Sequence, residues 1–442
     1  MNYFCRSKES YMIKYVIAFL YLIVISQSEA QPVPTKMYAL KCGRIIDGIS
    51  DNVRSNAILL IEGNIIKQID ASSIPSYADV IDLSKLTVLP GLIDCHTHVL
   101  LQGDITSQDY DNQLLKESIP YRTIRGAVAA QAALRNGFTT IRDVETEGAM
   151  YADVDIKKAI NNGIIEGPRM FVSTRALDVT GAYPLLGYSW ELRMPKGVQV
   201  VDGVDECRKA VREQVEYGAD WIKVYVDRSY YVAEDEKIHS ILTFTFDELK
   251  AICDEAHKLR RKVVAHAIGR EGIENALRAG VNTIEHGHGF DDEMLALAKQ
   301  QGVFWCPTLF VTEYVAEGRA AEGKPIYKQM ISYQRKAFAK AVTAGVKISL
   351  GTDVGGFAWD VNQAVEIKRM VDAGMTSMQA IKASTSVAAD LLGMKGKLGE
   401  LSSGALADII AVRGDPINDV SVLEHVVFVM KDGKIYKNAI TK

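Results

Sequence analysis

The sequence predicts an α/β protein built as a (β/α)8 barrel, with a small β-sandwich domain assembled from both chain ends. Three observations carry this. A phrase of helix, Gly and β-rich run recurs through the middle of the chain. Short β runs with tight-turn signals flank it on both sides. The 442 residues fit one barrel of about 250 to 300 residues plus a smaller domain.

The recurring phrase supplies the strands in order. Asn136-Gly137 precedes Thr139 to Val144, Tyr217-Gly218 precedes Trp221 to Val226, and Ala279-Gly280 precedes Val281 to His286. Gln301-Gly302 precedes Val303 to Leu309, and Ala344-Gly345 precedes Val346 to Asp353. Gly just past a helix end takes the left-handed conformation that other residues resist. The β-branched or aromatic run that follows reads as a buried parallel strand. Thr87 to Asp94, Arg169 to Thr174 and Lys262 to Ala267 complete the alternation. A doubly wound sheet is the competing arrangement, but no strand here ends in a Gly-rich phosphate loop.

On the amino-terminal side, Ile58 to Ile61 and Ile65-Ile66 flank Glu62-Gly63-Asn64, a hairpin signal. Val426 to Met430, Asp432-Gly433 and Lys434 to Tyr436 echo it near the carboxyl end. The predicted organisation is a signal peptide over 1–30, β-sandwich segments over 31–86 and 394–442, and the barrel over 87–393. Long connections over 176–200 and 227–245 leave the carboxyl ends of their strands, where barrel sites lie, and are candidates for lids and specificity.

The first residues read as a targeting segment. Arg6, Lys8 and Lys14 precede an apolar run from Tyr15 to Ile25, and Ser28-Glu29-Ala30 follows. The run is shorter than the roughly 20 residues a bilayer demands, so a cleaved secretory signal is expected and a retained anchor is the competing reading. A secreted or periplasmic enzyme follows, without stable membrane association after cleavage. The net charge of −4 gives no basic footprint for nucleic acid. A small molecule or peptide is the expected partner, and a homo-oligomer is compatible with the sequence. The cysteines left after cleavage, Cys42, Cys95, Cys207, Cys253 and Cys306, are scattered and read as small buried residues.

The chemistry concentrates at strand ends. In Asp94-Cys95-His96-Thr97-His98, alternate residues point to one side, so His96 and His98 converge. Paired imidazoles suit zinc or a similar metal. His266, His286 and Asp353 each end a predicted strand. Lys223, inside Trp221 to Val226, would be a costly buried ammonium unless neutral or paired. A neutral amine adds carbon dioxide to become an anionic carbamate, which bridges cations; pairing with a carboxylate such as Asp143 is the alternative. Tyr225 faces the same way as Lys223 and is a candidate to polarise a carbonyl. His288 reads as a loop or substrate residue. His239, His257 and His425 read as structural residues in loops or helices.

With these residues in place, the chain resembles the amidohydrolase superfamily, in the carboxylated-lysine branch that includes prolidase-like Xaa-Pro dipeptidases. The resemblance runs from Gly43 to Gly48 through to Asp408 to Val412 and Phe428 to Lys431. It implies two divalent metal ions, zinc in preference. His96, His98 and Asp353 would hold one, His266 and His286 the other, with the Lys223 carbamate bridging. It also implies hydrolysis of an amide in a small peptide or N-acyl amino acid by a metal-activated hydroxide, with Asp353 moving the proton. Relatives often read Ala-Thr-Gly-Gly-His where this chain has Val179-Thr180-Gly181-Ala182-Tyr183. They follow the lysine strand with a Gly-rich turn where this chain has Asp227-Arg228-Ser229-Tyr230-Tyr231. Arg228 is the candidate grip on a substrate carboxylate. The alternative is a mononuclear-metal cyclic amidohydrolase or deaminase, imidazolonepropionase-like, in which Lys223 is structural. A secreted scaffold without catalysis would have lost ligands, and none is missing here.

Overall fold

The computed structural model describes residues 36–183 and 188–440. The expected signal segment lies outside the described residues. Among those described, no helix is long and apolar enough to cross a membrane.

The described residues form a mixed α/β structure, in which segments from both sides of the parallel strands meet in one sheet. That sheet has seven strands, in the order Lys434–Asn438, Val426–Lys431, Ile409–Val412, Asp79–Pro90, Met37–Ile46, Val53–Glu62, Ile65–Gln68. The long strand Asp79–Pro90 joins the ends. It runs parallel to Met37–Ile46 and antiparallel to Ile409–Val412. At the far edge, Ile66 N donates to Ala405 O at 2.9 Å, so the sheet curls back towards the carboxyl-terminal segment. Leu40, Leu59, Leu83, Phe428 and Met430 fill its buried face. Asp432 and Gly433 both have left-handed φ, 49° and 72°, which fits a two-residue turn to the twist of the strands it joins.

The parallel strands come next. Leu92–Thr97, Phe138–Asp143 and Arg169–Val172 pair in one sheet. Trp221–Tyr225, Lys262–Ala267, Thr283–His286 and Phe304–Cys306 pair in another. Main-chain bonds link the two sheets at both sides, on one of them through the run over 346–354. Asp220 N donates to Val172 O at 2.8 Å; Trp305 N donates to Lys347 O at 2.9 Å; Cys95 N donates to Leu350 O at 3.0 Å. Helices between the strands end at Gly280, Gly302 and Gly345, all left-handed, as the recurring phrase predicts.

Three predicted strands differ in extent. The run Thr87 to Asp94 is not one strand: Asp79–Pro90 stays in the terminal sheet, and the parallel strand begins at Leu92. The switch falls at Gly91, whose N donates to Asp408 O, and where a Cβ would meet the Thr139 side chain at 2.1 Å. The run Val303 to Leu309 is a strand only over Phe304–Cys306, and Leu309 begins a helix. There the Glu366 carboxylate accepts from Leu309 N and Phe310 N at 2.7 and 2.8 Å, meeting unpaired donors at the helix start. The run Val346 to Asp353 holds only isolated bridges, at Ile348 to Trp305 and, one residue beyond the run, at Val354 to Thr97. Its backbone is partly turned to side chains, with Thr352 N and Oγ1 both donating to Asp94.

The connection over 227–245 is an antiparallel hairpin of Asp227–Val232 and Ile238–Leu242. His239 therefore stands on a strand, not in a loop or helix, and bonds Asp235 and Glu271 in a structural role. The five described cysteines are buried and free.

Candidate metal centre

The predicted ligands do come together. His96 and His98 leave the end of Leu92–Thr97 on one side, with their Nε2 atoms 3.3 Å apart. Asp353 Oδ1 lies 3.1 Å from His98 Nε2 and 3.5 Å from His96 Nε2. The His286 ring stands 5.1 Å from that of His96 and 4.5 Å from that of His266. His286 and Asp353 carry left-handed φ of 70° and 61°, uncommon for residues with a side chain. Such backbone strain is a frequent companion of functional sites. At His286 it reverses the strand alternation: Ile284 packs in the outer core, yet His286, two residues on, turns inward.

Lys223 is 1% exposed, and its Nζ lies 5.3 Å from the centre of the Tyr225 ring. Burial lowers its pKa, which favours the free amine. Pairing with Asp143 is not what the structure has. Asp143 Oδ1 accepts from Val99 N at 2.7 Å and from Thr97 Oγ1 at 3.2 Å.

The imidazoles are set up as neutral donors. Burial, then the nearby Lys223 charge, pushes His96 down to about 4. Its Nδ1 proton goes to Glu285 Oε2 at 2.6 Å, leaving the Nε2 lone pair facing the centre. Burial likewise holds His266 and His286 well below their usual range. His98 is the exception: burial pushes it down, but the bond and charge of Asp353 outweigh this and lift it to about 9. Asp353 stays anionic, because His96 and His98 outweigh its own desolvation. A proton held between His98 and Asp353 is what a divalent cation displaces on binding. The donor set of imidazole and carboxylate therefore fits a metal.

The ligand atoms fall into two groups, each within 4.8 Å: His96, His286 and Asp353, and separately His98, Glu145 and Glu147. His266 is in neither. Its Nε2 bonds the Tyr230 hydroxyl at 2.7 Å. The resemblance implied His266 and His286 as a second pair; their rings are neighbours, but the His286 ligand atom groups with His96 and Asp353, and His266 Nε2 already has a partner.

Several site residues escaped sequence reasoning. Glu285 anchors His96 and is itself paired with Arg142, whose Nη2 lies 2.9 Å away with both side chains fully buried. Glu145 accepts from the Tyr225 hydroxyl at 2.6 Å, so that hydroxyl is engaged away from a substrate carbonyl. Glu147 accepts from Tyr110 and Tyr183. The available signal was the density of charge in Arg142-Asp143-Val144-Glu145-Thr146-Glu147 and at Glu285, on segments otherwise apolar enough to be buried.

A cavity of about 290 Å³ opens over the cluster and borders His98, Lys223, Tyr225, Arg228, His288 and Asp353. It continues into a wider vestibule flanked by Tyr183, Arg228, Tyr230 and Tyr327. Arg228 stands on the hairpin strand rather than in an open loop, exposed, with Nη1 donating to Gly181 O at 3.1 Å. His288 is buried and bonds Thr312 Oγ1 through Nε2 at 3.1 Å.

Clustered imidazoles, a carboxylate and a buried amine at the carboxyl ends of parallel strands define a metal-binding hydrolase site. Residues 87–437 match the amidohydrolase family model. The chain belongs to the amidohydrolase family and is a hydrolase of amide bonds. It is 32% identical over 450 residues to the ochratoxinase of Aspergillus niger, covering 94% of this chain and 89% of that protein. Its structure is similar to that of a Xaa-Pro dipeptidase with bound methionine in the active site. That match has a TM-score of 0.82 and 35% identity and covers 91% of this chain and 100% of the other. The crystal structure of A. niger ochratoxinase gives a TM-score of 0.79 at 29% identity, covering 92% of this chain and 97% of that one.

Proposed function

We propose that this chain is a zinc-dependent amidohydrolase with a binuclear centre, cleaving the amide of a small peptide or N-acyl amino acid. The parallel strands are read as a (β/α)8 barrel beside a β-sandwich. The carrying observation is the convergence of His96 Nε2, His98 Nε2 and Asp353 Oδ1 within 3.1 to 3.5 Å, beside a fully buried Lys223. His96, His98 and Asp353 would hold one ion, and His266 and His286 the other. A carbamate on Lys223, formed when its amine attacks carbon dioxide and loses a proton, would bridge them. When bound, such a metal pair acidifies a water and polarises the substrate carbonyl.

The chain's own residues do the rest. Glu285 fixes the His96 ring. Asp353 faces both imidazoles and the cavity, so it is placed to take a proton and return it to the leaving nitrogen. Tyr225 would serve the carbonyl only after leaving Glu145. Arg228, with one of its donors engaged by Gly181, keeps others for a substrate carboxylate. The likeness to an ochratoxinase and a Xaa-Pro dipeptidase supports an amide substrate. Export is proposed from the amino-terminal segment.

A single-metal cyclic amidohydrolase or deaminase is the second reading, favoured by the Tyr230 bond that occupies His266 Nε2. The test is a panel of dipeptides, N-acyl amino acids and cyclic imides on the zinc-loaded protein. Cleavage of the first two supports the proposal. Turnover of cyclic imides alone supports the second reading.

A further inference from the structure

The wall of the cavity beside His98 carries two buried carboxyl groups that no Lys or Arg meets in an ion pair. Glu145 is 0% exposed and Glu147 is 4% exposed. No Lys or Arg among the described residues forms an ion pair with either; Lys223 and Arg122 act on them only at longer range, and the nearest basic group is His98, whose Nδ1 lies 3.6 Å from Glu147 Oε1. That is too long for a hydrogen bond, and His98 Nδ1 has no other partner. Glu145 Oε1 is also buried without a partner. Carboxylates this far from water carry a heavy penalty unless they are protonated, the direction in which burial pushes Glu145, or a cation joins them.

Three phenols surround the pair. Tyr110 and Tyr183 donate to Glu147 Oε2 at 3.0 and 3.2 Å, and Tyr225 donates to Glu145 Oε2. Their rings form a continuous wall, with centroids 5.8 Å apart for Tyr110 and Tyr183 and 5.1 Å for Tyr183 and Tyr225. Aromatic faces beside a carboxylate suit an organic ammonium, which gains from the ring quadrupoles as well as from the charge. A hard divalent ion would want more oxygen ligands.

We propose that Glu147, backed by Glu145 and walled by Tyr110, Tyr183 and Tyr225, receives the free amino terminus of the substrate. The position is right for it. His98 turns Nδ1 to Glu147 and Nε2 to Asp353, so one imidazole ring separates the carboxylate from the ligand cluster. An α-ammonium sits on the carbon next to the scissile carbonyl and fits within that span. This inference rests on the peptide-hydrolase reading and sharpens it: the substrate is a peptide with a free amino end rather than an N-acyl amino acid.

The test is calorimetric binding of leucinol and N-acetyl-leucinol to the metal-loaded protein, wild type and Glu147→Gln. Leucinol has no amide; N-acetyl-leucinol has one at its nitrogen, so the probe is checked for integrity after each titration and binding is read from intact probe only. The expected result is that wild type binds leucinol roughly 10- to 100-fold more tightly than its N-acetyl form, as a charge-assisted contact would give. The preference disappears in Glu147→Gln. Equal binding of the two probes by wild type, or binding of neither, overturns the ammonium subsite whatever the variant does. A further equivalent of divalent metal in wild type that is lost in Glu147→Gln overturns it in favour of a metal site. Failure to cleave any peptide, with the leucinol preference intact, would count against the hydrolytic reading and not against this subsite.

Discussion

Glu285 Oε2 and His96 Nδ1 lie 2.6 Å apart in a site closed to water, and this contact decides which nitrogen of His96 faces the metal centre. Arg142 holds the other carboxylate oxygen and also donates to Cys95 O. A ligand strand, its neighbour and the His286 strand are thus tied by one buried chain of charge-assisted bonds. Carboxylates in this position orient metal-bound histidines and raise their basicity.

Glu285→Gln should therefore weaken metal binding roughly 10- to 100-fold, measured by competition with a chelator of known affinity. It also leaves Arg142 buried without its counter-charge, so chemical denaturation should report a loss of about 3–5 kcal/mol. Unchanged metal affinity would show that His96 is held by its strand alone.

Asp353→Asn keeps an oxygen near His96 and His98 but cannot carry a proton. Turnover should fall roughly 100- to 10,000-fold, the usual share of a general acid–base group, while metal analysis finds the ions retained. Near-normal turnover with bound metal would assign the proton transfer to another residue.

Arg228→Ala should raise KM for substrates with a free carboxylate and spare their amidated analogues. Steady-state kinetics on matched pairs reads this directly. If wild type handles both forms equally, the guanidinium serves only its bond to Gly181.

The amino-terminal segment gives a separate expectation. Ser28-Glu29-Ala30 after a short apolar run places the mature start near Gln31. Amino-terminal sequencing of exported protein checks it, and an intact end on a membrane-bound product would count against cleavage.

Strand alternation made the His96 and His98 pair legible, because their convergence follows from backbone geometry alone. Lys223 and Asp143 were visible as charges in apolar runs, but nothing local tells which of them finds a partner. His286 and Asp353 were found at strand ends; alternation puts Asp353 on the same side as Gly351, which faces His96, but it does not predict the inward turn of His286, which comes with left-handed backbone there. The Pro90–Gly91 switch between sheets was hidden inside one apolar run, since both halves are equally buried. Glu145, Glu147 and Glu285 were missed because their partners, Tyr225, Tyr183 and Arg142, are brought to them by tertiary packing. The Tyr230 bond to His266 has the same origin, a hairpin folded over the site.

Metal analysis of wild-type and Lys223→Ala protein, prepared with bicarbonate present, bears most directly on the binuclear centre. Two divalent ions per wild-type chain, falling to one or fewer with loss of activity in the variant, is the predicted result. One ion per wild-type chain, with both content and activity unchanged in Lys223→Ala, would contradict a bridging lysine.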